Sequence, residues 1–185
     1  MKRLFVDRRC RFASVFDSET GAYLRTGVLD GSGRDTGVDP FMASFPQLID
    51  VGVMGHCKHG KTGLCLKAGI GCYQSGSVVE QPNMPLEDFR WIAEQCRGKV
   101  MQFALGGRGD PDQHEDFEGL LCISRENEIV PNFTTSGFGM TDDIARLCKR
   151  YCGAVAVSWY RNSYTHSAIE ALLSAGVKDR KSTRL

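Results

Sequence analysis

The run LIDVGVM at Leu48–Met54 is the first of four short apolar segments that share one pattern. Its β-branched residues and nearly continuous apolar character are typical of a buried strand in a parallel sheet. Similar segments follow at residues 100–105, 128–133 and 153–160. Repeated strand–helix units of this kind predict an α/β fold. Its parallel strands are joined by right-handed crossovers, either in an open sheet or in a barrel.

Helices are predicted between and after these strands. The spacing of apolar residues places them at Leu86–Cys96, 115–124, 142–151 and Ser163–Ser174. Thr141 is a typical N-cap residue for the third helix, and Gly176 is a typical end for the fourth. Val177 and Lys178 are predicted to begin a fifth strand. In such folds the chemistry gathers where the parallel strands end, so functional residues are expected there.

Residues 1–47 differ in hydrophobic pattern from the rest of the chain. Segments 13–17 and 22–28 flank the sequence Ser-Glu-Thr-Gly at 18–21, and together they predict a β-hairpin. We therefore predict an N-terminal extension with a hairpin over 1–47 and an α/β core over 48–178. The hairpin is expected to cover the mouth of a barrel or to bind a peptide.

The last seven residues, 179–185 (DRKSTRL), resemble a translated sequencing adapter. We expect them to be a non-native tail and exclude them from fold reasoning. A short basic tail is the alternative. If the tail is non-native, we expect the α/β core to be incomplete at its C-terminus and to continue in a longer protein.

Composition excludes several classes of function. The 185 residues carry a formal net charge of +1, so no strong field directs the chain to nucleic acid or to an anionic membrane. The N-terminal sequence MKRLFVDRRCRF lacks the apolar run of a secretory signal, and no segment approaches the roughly 18 apolar residues of a membrane helix. These features predict a cytoplasmic protein whose eight cysteines remain reduced.

Three of those cysteines follow the first strand directly. Cys57, Cys65 and Cys72 lie within sixteen residues, in a loop that has five glycines between Gly55 and Gly71. Soft thiolates in such a loop suit an iron–sulfur cluster or zinc. Three ligands leave one metal position free for a substrate or cofactor, whereas a fourth closes the site.

The fourth ligand is where the interpretations divide. His56 or His59 could close the site as that ligand, and the loop would then hold a structural metal. A loop histidine bonded to the backbone is the simpler interpretation of each. Three unrelated buried thiols are the remaining alternative for the cysteines.

The cysteine loop, the aromatic Tyr73 beside its last cysteine and the repeated strand–helix units together resemble the radical SAM superfamily. The resemblance covers about residues 48–178. The spacing here is C-x7-C-x6-C in place of the family's CxxxCxxC, and the aromatic follows the last cysteine instead of preceding it. The resemblance implies a partial (β/α) barrel. It also implies that Cys57, Cys65 and Cys72 hold a [4Fe-4S] cluster whose fourth iron binds S-adenosylmethionine.

Further motifs match that resemblance strand by strand. The turn GGRGDP at 106–111 is similar to the family's glycine-rich motif for the S-adenosylmethionine amino group, and TTSG at 134–137 is similar to its third-strand motif. Polar ribose or carboxylate contacts are expected at the end of the fourth strand. The cofactor-binding residues that the resemblance implies are Tyr73, Gly106, Gly107, Asp110, Thr135, Ser136 and Ser158.

The activity implied is reductive cleavage of S-adenosylmethionine to a 5′-deoxyadenosyl radical, which abstracts hydrogen from an unassigned substrate. A peptide or protein is the expected class of substrate, and flavodoxin or ferredoxin is the expected type of one-electron donor. Thiolates of lowered pKa are expected at the cluster. No nucleic acid or membrane partner is expected, and no catalytic residue is assigned.

Two other functions compete with this one. A non-catalytic zinc or iron–sulfur module closed by His56 or His59 is the first alternative. An ordinary α/β enzyme that binds phosphate in its glycine turns is the second. It is disfavoured because the chain has neither a GxxxxGK[ST] motif nor a well-placed GxGxxG motif.

Overall fold

Two β-sheets of different strand arrangement form the framework of the protein. A computed structural model describes residues 2–19, 21–67 and 69–177. The N-terminal sheet is antiparallel, in the order β1 (Lys2–Asp7), β2 (Phe12–Asp17) and β3 (Tyr23–Arg25). The core sheet is parallel, in the order β4 (Leu48–Met54), β5 (Gln102–Gly107), β6 (Val130–Thr135) and β7 (Ala154–Val157). The predicted α/β class is confirmed.

Helices connect the strands of the core sheet. They are α1 (Lys58–Thr62), α2 (Leu64–Lys67), α3 (Leu86–Cys96), α4 (Phe117–Glu126), α5 (Asp142–Tyr151) and α6 (Ser163–Ser174), and a 3-10 turn lies at Pro111–Gln113. The predicted caps are present: the Thr141 hydroxyl accepts a hydrogen bond from Ile144 N–H at 3.2 Å, and Gly176 follows α6 with a φ of +76°. Within the described residues no helix is both long enough and apolar enough to cross a bilayer.

Two predicted strands begin two residues earlier than the observed strands, and a third extends beyond the observed end. Strands predicted at 100–105 and 128–133 begin at Gln102 and Val130, because the apolar residues before them are buried ahead of the ladder. The predicted second hairpin strand ends early, at Arg25, since Val28 N–H then bonds Val38 O within the following loop.

Two further differences concern strands. Strand β1 was not predicted, because its short apolar run, Leu4 to Val6, is flanked by charged residues on both sides. At the other end, Val177 is described and is not in a strand, so the predicted fifth strand does not begin there. Lys178 and the predicted non-native tail at 179–185 lie outside the described residues.

The core sheet buries one face only. Side chains such as Val51, Phe103 and Phe133 pack against α3 and α4, with Phe89 and Phe103 in edge contact at a centroid distance of 5.7 Å. The opposite face lines an open cavity, which exposes Leu48 and its alternate neighbours on β4. The prediction of β4 as a buried strand is therefore right for one face and wrong for the other. The core forms on the helical side.

The N-terminal sheet packs at the amino ends of the parallel strands. Phe16 is 1% exposed and contacts Met101 and Val130, which stand immediately before β5 and at the start of β6. Arg3 adds an ion pair with Glu128 at 3.0 Å. The cysteine loop leaves the opposite edge of the sheet. The expectation that the hairpin covers the mouth of the barrel is therefore wrong.

Candidate active site

A cavity of about 840 Å³ opens where the four parallel strands end. Its walls come from the cysteine loop, the turn after β5, the ends of β6 and β7, and the open face of the sheet. Every predicted ligand or cofactor contact lies on it: Cys57, Cys65, Cys72, Tyr73, Gly106, Gly107, Asp110, Thr135, Ser136 and Ser158. The structure thus brings together residues that are up to 101 positions apart in the sequence (Ser158 minus Cys57).

The cysteine loop is largely helical, which explains its long spacing. Cys57 is the N-cap of α1, and its sulfur accepts the Gly60 N–H at 3.1 Å. Gly63, with a φ of +68°, ends α1 so that α2 can begin. The helical turns take up the seven residues between Cys57 and Cys65 and return the second cysteine to the cavity wall. Cys72 accepts the Gly76 N–H at 3.3 Å.

Bare backbone holds the loop against its neighbours. A Cβ atom on Gly60 would lie 2.3 Å from Gly76 O, and one on Gly109 would lie 2.4 Å from His56 O. Side chains at these positions would separate the segments that carry Cys57, Cys72 and Asp110. The sequence shows these glycines, but only the fold identifies which of them are at close contacts.

Arg108 closes the cysteine loop at its base. Its Nε donates to Gln74 O at 2.9 Å, and its Nη1 donates to Gly55 O at 3.0 Å. These two carbonyls belong to the residues that flank the three cysteines. Sequence reasoning treated Arg108 as one letter of a glycine-rich turn, and nothing in the local pattern indicates its two distant acceptors.

His59 is the most enclosed polar side chain of the loop, at 3% exposed. Its Nδ1 lies 2.8 Å from Cys65 Sγ, and its Nε2 lies 3.0 Å from the Tyr164 hydroxyl. Burial lowers the pKa of His59, which favours the neutral ring. His56, in contrast, is half-buried, with Nδ1 3.4 Å from Gln81 O.

Burial acts against ionisation of two thiols in the cysteine loop. Burial raises the pKa of Cys57, with the charge of Asp110 adding to it, and burial likewise raises the pKa of Cys65. These directions reflect the protein groups alone, and lowered thiol pKa values at a bound cluster stay a prediction. Within the part of the chain that the structure describes, no three His, Cys, Asp or Glu side chains are grouped around a single ion position.

Asp110 and Ser136 form a pair at the base of the cavity. The Asp110 carboxylate accepts the Ser136 N–H at 3.0 Å and the Ser136 hydroxyl at 2.5 Å. Burial raises the pKa of Asp110, although the hydrogen bonds from Ser136 oppose the rise. Beside them Thr135 is 1% exposed, and its hydroxyl accepts the Gly137 N–H. These contacts tie the turn after β5 to the end of β6.

The remaining predicted residues differ in accessibility. Tyr73 is 88% exposed at the mouth of the cavity, next to the exposed Cys72. A Cβ on Gly106 would meet nothing within 4 Å, whereas Gly107 has a φ of +114° and leaves no room beside Met54. Gly106 is therefore open to an approaching ligand, whereas Gly107 allows a positive φ and a close approach of the Met54 backbone.

The open sheet face adds polar groups that the sequence analysis did not assign. Asp50, Gln102, Asn132 and Thr134 line the cavity below the strand ends. Asn132 Nδ2 donates to Gln102 Oε1 at 3.0 Å. Their alternation with buried apolar residues was the available signal, because polar residues at every second position mark one accessible face of a strand.

Solved structures of similar fold include Streptococcus suis SuiB bound to S-adenosylmethionine, which is 17% identical, with a TM-score of 0.58 over 76% of this chain and 34% of that one. SuiB bound to precursor peptide SuiA is 12% identical, with a TM-score of 0.53 over 85% and 48%. Native anSMEcpe with bound AdoMet is 17% identical, with a TM-score of 0.55 over 72% and 42%. These proteins are radical SAM enzymes. The chain has the radical SAM fold.

The radical SAM fold was predicted from the cysteine loop and the strand–helix repeat, and the structural likeness confirms it. The chain spans between about a third and a half of the length of these three similar structures. No protein-family model and no curated protein sequence matches it.

Proposed function

We propose that this chain is the core of a radical SAM enzyme. It would bind a [4Fe-4S] cluster through Cys57, Cys65 and Cys72 and cleave S-adenosylmethionine. The observation that supports this proposal most directly is that all three cysteines line one cavity at the carboxyl ends of the strands. That edge is where α/β folds with parallel strands place their chemistry.

The residues present fit a cluster of this kind. Thiolates are the ligands of iron–sulfur clusters, and backbone N–H groups commonly stabilise the sulfurs. Gly60 and Gly76 direct such N–H groups at Cys57 and Cys72. A cluster bound there supplies the one-electron reduction by which S-adenosylmethionine yields methionine and a 5′-deoxyadenosyl radical. The protein itself binds, orients and excludes water.

S-adenosylmethionine would lie along the strand ends. The open backbone at Gly106 lets its amino acid portion approach, while the Asp110–Ser136 pair offers an acceptor for the ammonium group. Ser158 adds a hydroxyl on the wall formed by β7, and the exposed ring of Tyr73 is available for stacking at the mouth. Each contact lies on the same cavity as the cysteines.

The substrate that we propose is a peptide or protein. One structure of similar fold, SuiB, is bound to a precursor peptide, and the open sheet face here leaves room beneath the strand ends. Flavodoxin or ferredoxin is the proposed type of electron donor, and the cytoplasm the proposed location. The near-neutral net charge supports neither a nucleic acid nor a membrane partner.

The test is anaerobic reconstitution with iron and sulfide, followed by EPR of the dithionite-reduced protein with and without S-adenosylmethionine. We expect a [4Fe-4S]⁺ signal that changes on addition of S-adenosylmethionine, together with release of 5′-deoxyadenosine. Each of Cys57→Ala, Cys65→Ala and Cys72→Ala should abolish both. Cys10→Ala is the matched control, because that half-exposed thiol is outside the cavity and should leave both unchanged.

Two outcomes would overturn the proposal. One is zinc binding without iron binding, which would instead support a structural metal module closed by a histidine. The other is an iron–sulfur signal that S-adenosylmethionine does not alter, because a fully coordinated cluster has no position for the cofactor.

A further inference from the structure

His59 connects two distant parts of the fold. It lies in α1, between Cys57 and Cys65, and its ring reaches across the cavity wall to Tyr164 in the first turn of α6. The Nδ1 to Cys65 Sγ distance is 2.8 Å and the Nε2 to Tyr164 Oη distance is 3.0 Å. The side chain thus has one polar partner on each side of the ring.

Aromatic rings fix the orientation of His59. Phe138 lies at a centroid distance of 5.2 Å, Tyr164 meets the ring edge-on at 5.5 Å, and Tyr160 is parallel to it at 6.4 Å. With 3% of its surface exposed, the imidazole has little room to rotate away from Cys65. The contact with the sulfur is therefore built into the packing.

Tyr164 is itself held in place by the start of α6. The Asn162 side chain accepts the Thr165 N–H at 2.9 Å, and the Thr165 hydroxyl donates to Ser136 O at 3.2 Å. Gly137 permits this close approach, because a Cβ there would lie 2.7 Å from the Ala168 side chain. The hydroxyl of Tyr164 consequently has a set position beside His59.

The chemistry of the partners gives the hydrogen bonds a direction. A cysteine that ligates a cluster is a thiolate, which can only accept, so His59 Nδ1 must carry the hydrogen. In a neutral imidazole Nε2 then has the lone pair and accepts from the Tyr164 hydroxyl. The chain of donors runs from Tyr164 through His59 to Cys65, with each group satisfied.

We propose that His59 is a positioning residue that donates a hydrogen bond to Cys65 and raises the reduction potential of the bound cluster, with Tyr164 selecting the donating tautomer. This inference rests on the proposed function. Cys57 and Cys72 accept N–H groups from glycines of their own loop, whereas the partner of Cys65 is a side chain. A donor at a ligand sulfur stabilises the added electron, and second-layer donors of this kind tune metal centres.

Three substitutions at His59 separate the hydrogen bond from the packing. His59→Asn keeps an N–H donor near the place of Nδ1, His59→Gln moves it toward the place of Nε2, and His59→Phe keeps only the ring. His56→Phe is the matched control, because that histidine flanks Cys57 but bonds a carbonyl instead of a sulfur. The measurement is the midpoint potential of the reconstituted cluster, from an EPR-monitored redox titration, with iron content determined on every variant.

We expect His59→Phe and His59→Gln to make reduction harder by on the order of tenfold in the equilibrium constant, which is about 59 mV for one electron. His59→Asn should stay near the unsubstituted protein, and His56→Phe should not change. Tyr164→Phe should give a shift in the same direction as His59→Phe but smaller, since the donor remains while its tautomer is no longer selected.

The inference is overturned if the potentials of fully loaded His59→Phe and the unsubstituted protein coincide. It is also overturned if all three His59 variants lose iron equally, because the Asn variant retains the donor and its failure would indicate packing alone. The proposed function is judged separately, on the unsubstituted protein and its response to S-adenosylmethionine. Failure of either idea is therefore distinguishable from failure of the other.

Discussion

Asp112 has a carboxyl group that the proposed chemistry does not use. Its side chain is 4% exposed, and neither oxygen has a hydrogen-bond partner of good geometry within the described residues. Burial, aided by the charge of nearby Asp110, raises the pKa of Asp112 to about 6. Such a group binds its proton more tightly in the folded state than in the unfolded chain.

The sign of the effect on stability follows from that difference. The unfolded carboxyl group titrates near its ordinary value of 3.8, below the folded value. The stability that the proton provides is therefore complete below about pH 4 and is lost as the pH rises through about 6. Each unit of difference between the folded and unfolded pKa corresponds to 1.36 kcal/mol, so the free energy of unfolding lost above pH 7 is on the order of 3 kcal/mol.

Asp112→Asn removes the charge while keeping the shape of the side chain. We expect it to raise the free energy of unfolding at pH 8 by about 1–3 kcal/mol, with a gain at pH 5 that is about 1 kcal/mol smaller. Urea denaturation of the cluster-free protein at both pH values measures this. Asp88→Asn, on the exposed side of α3, is the control and should show no comparable gain. Equal gains at the two pH values would contradict the explanation.

The elements around the cavity depend on backbone contacts between segments. The glycine-rich segment 106–109, which includes the end of β5, faces the cavity at Gly106 and abuts the cysteine loop at Gly109. Gly106 therefore leaves space for a ligand, whereas Gly109 leaves space for the backbone of the cysteine loop. The two positions have the same residue in the same short segment, which allows a direct comparison.

Gly109→Ala and Gly106→Ala should fail in different ways. A methyl group on Gly109 would lie 2.4 Å from His56 O and 3.1 Å from Cys57 Cα, so we expect a loss of about 1–3 kcal/mol in unfolding free energy. Gly106→Ala should leave stability within about 0.5 kcal/mol and weaken the EPR response to S-adenosylmethionine. Denaturation of the cluster-free protein and a cofactor titration measure the two effects. Identical stabilities would show that the close contact does not hold the loop.

At the scale of the whole molecule, the N-terminal sheet and the cavity lie at opposite edges of the parallel sheet. The N-terminal sheet packs beneath the amino ends of β5 and β6 through Phe16, and the cavity lies at their carboxyl ends. Stability and cofactor binding should therefore respond separately to substitutions at the two edges.

Phe16→Ala tests that separation. Removing this 1%-exposed ring should cost about 3–5 kcal/mol of unfolding free energy, since the cavity left between the sheets cannot close fully. The cluster signal of the protein that remains folded, and its response to S-adenosylmethionine, should be unchanged. Leu4→Ala on the neighbouring strand is the control, because that side chain is 69% exposed and should alter stability by less than about 0.5 kcal/mol. A lost cofactor response in folded Phe16→Ala would refute the separation.

Local patterns were sufficient to predict the core elements. Strand β4 and helices α3 and α6 lie at the predicted bounds, and Thr141 caps α5 as expected. Hydrophobic periodicity and helix capping depend on residues that are near in sequence, so both can be recognised from the sequence alone. The placement of Cys57, Cys65 and Cys72 at one edge follows from the same logic, because all three lie in the loop directly after β4.

Tertiary structure alone decided the rest. The contact of His59 with Tyr164 joins residues 105 positions apart, and Arg108 reaches Gly55 across 53. The packing of Phe16 beneath the sheet, which places the hairpin away from the cavity, is likewise a contact between distant segments. Such contacts arise only when separate elements pack, so no local period encodes them. The sequence by itself determined most elements of the core and the placement of three cysteines in one loop, whereas packing decided which side chains contact those cysteines.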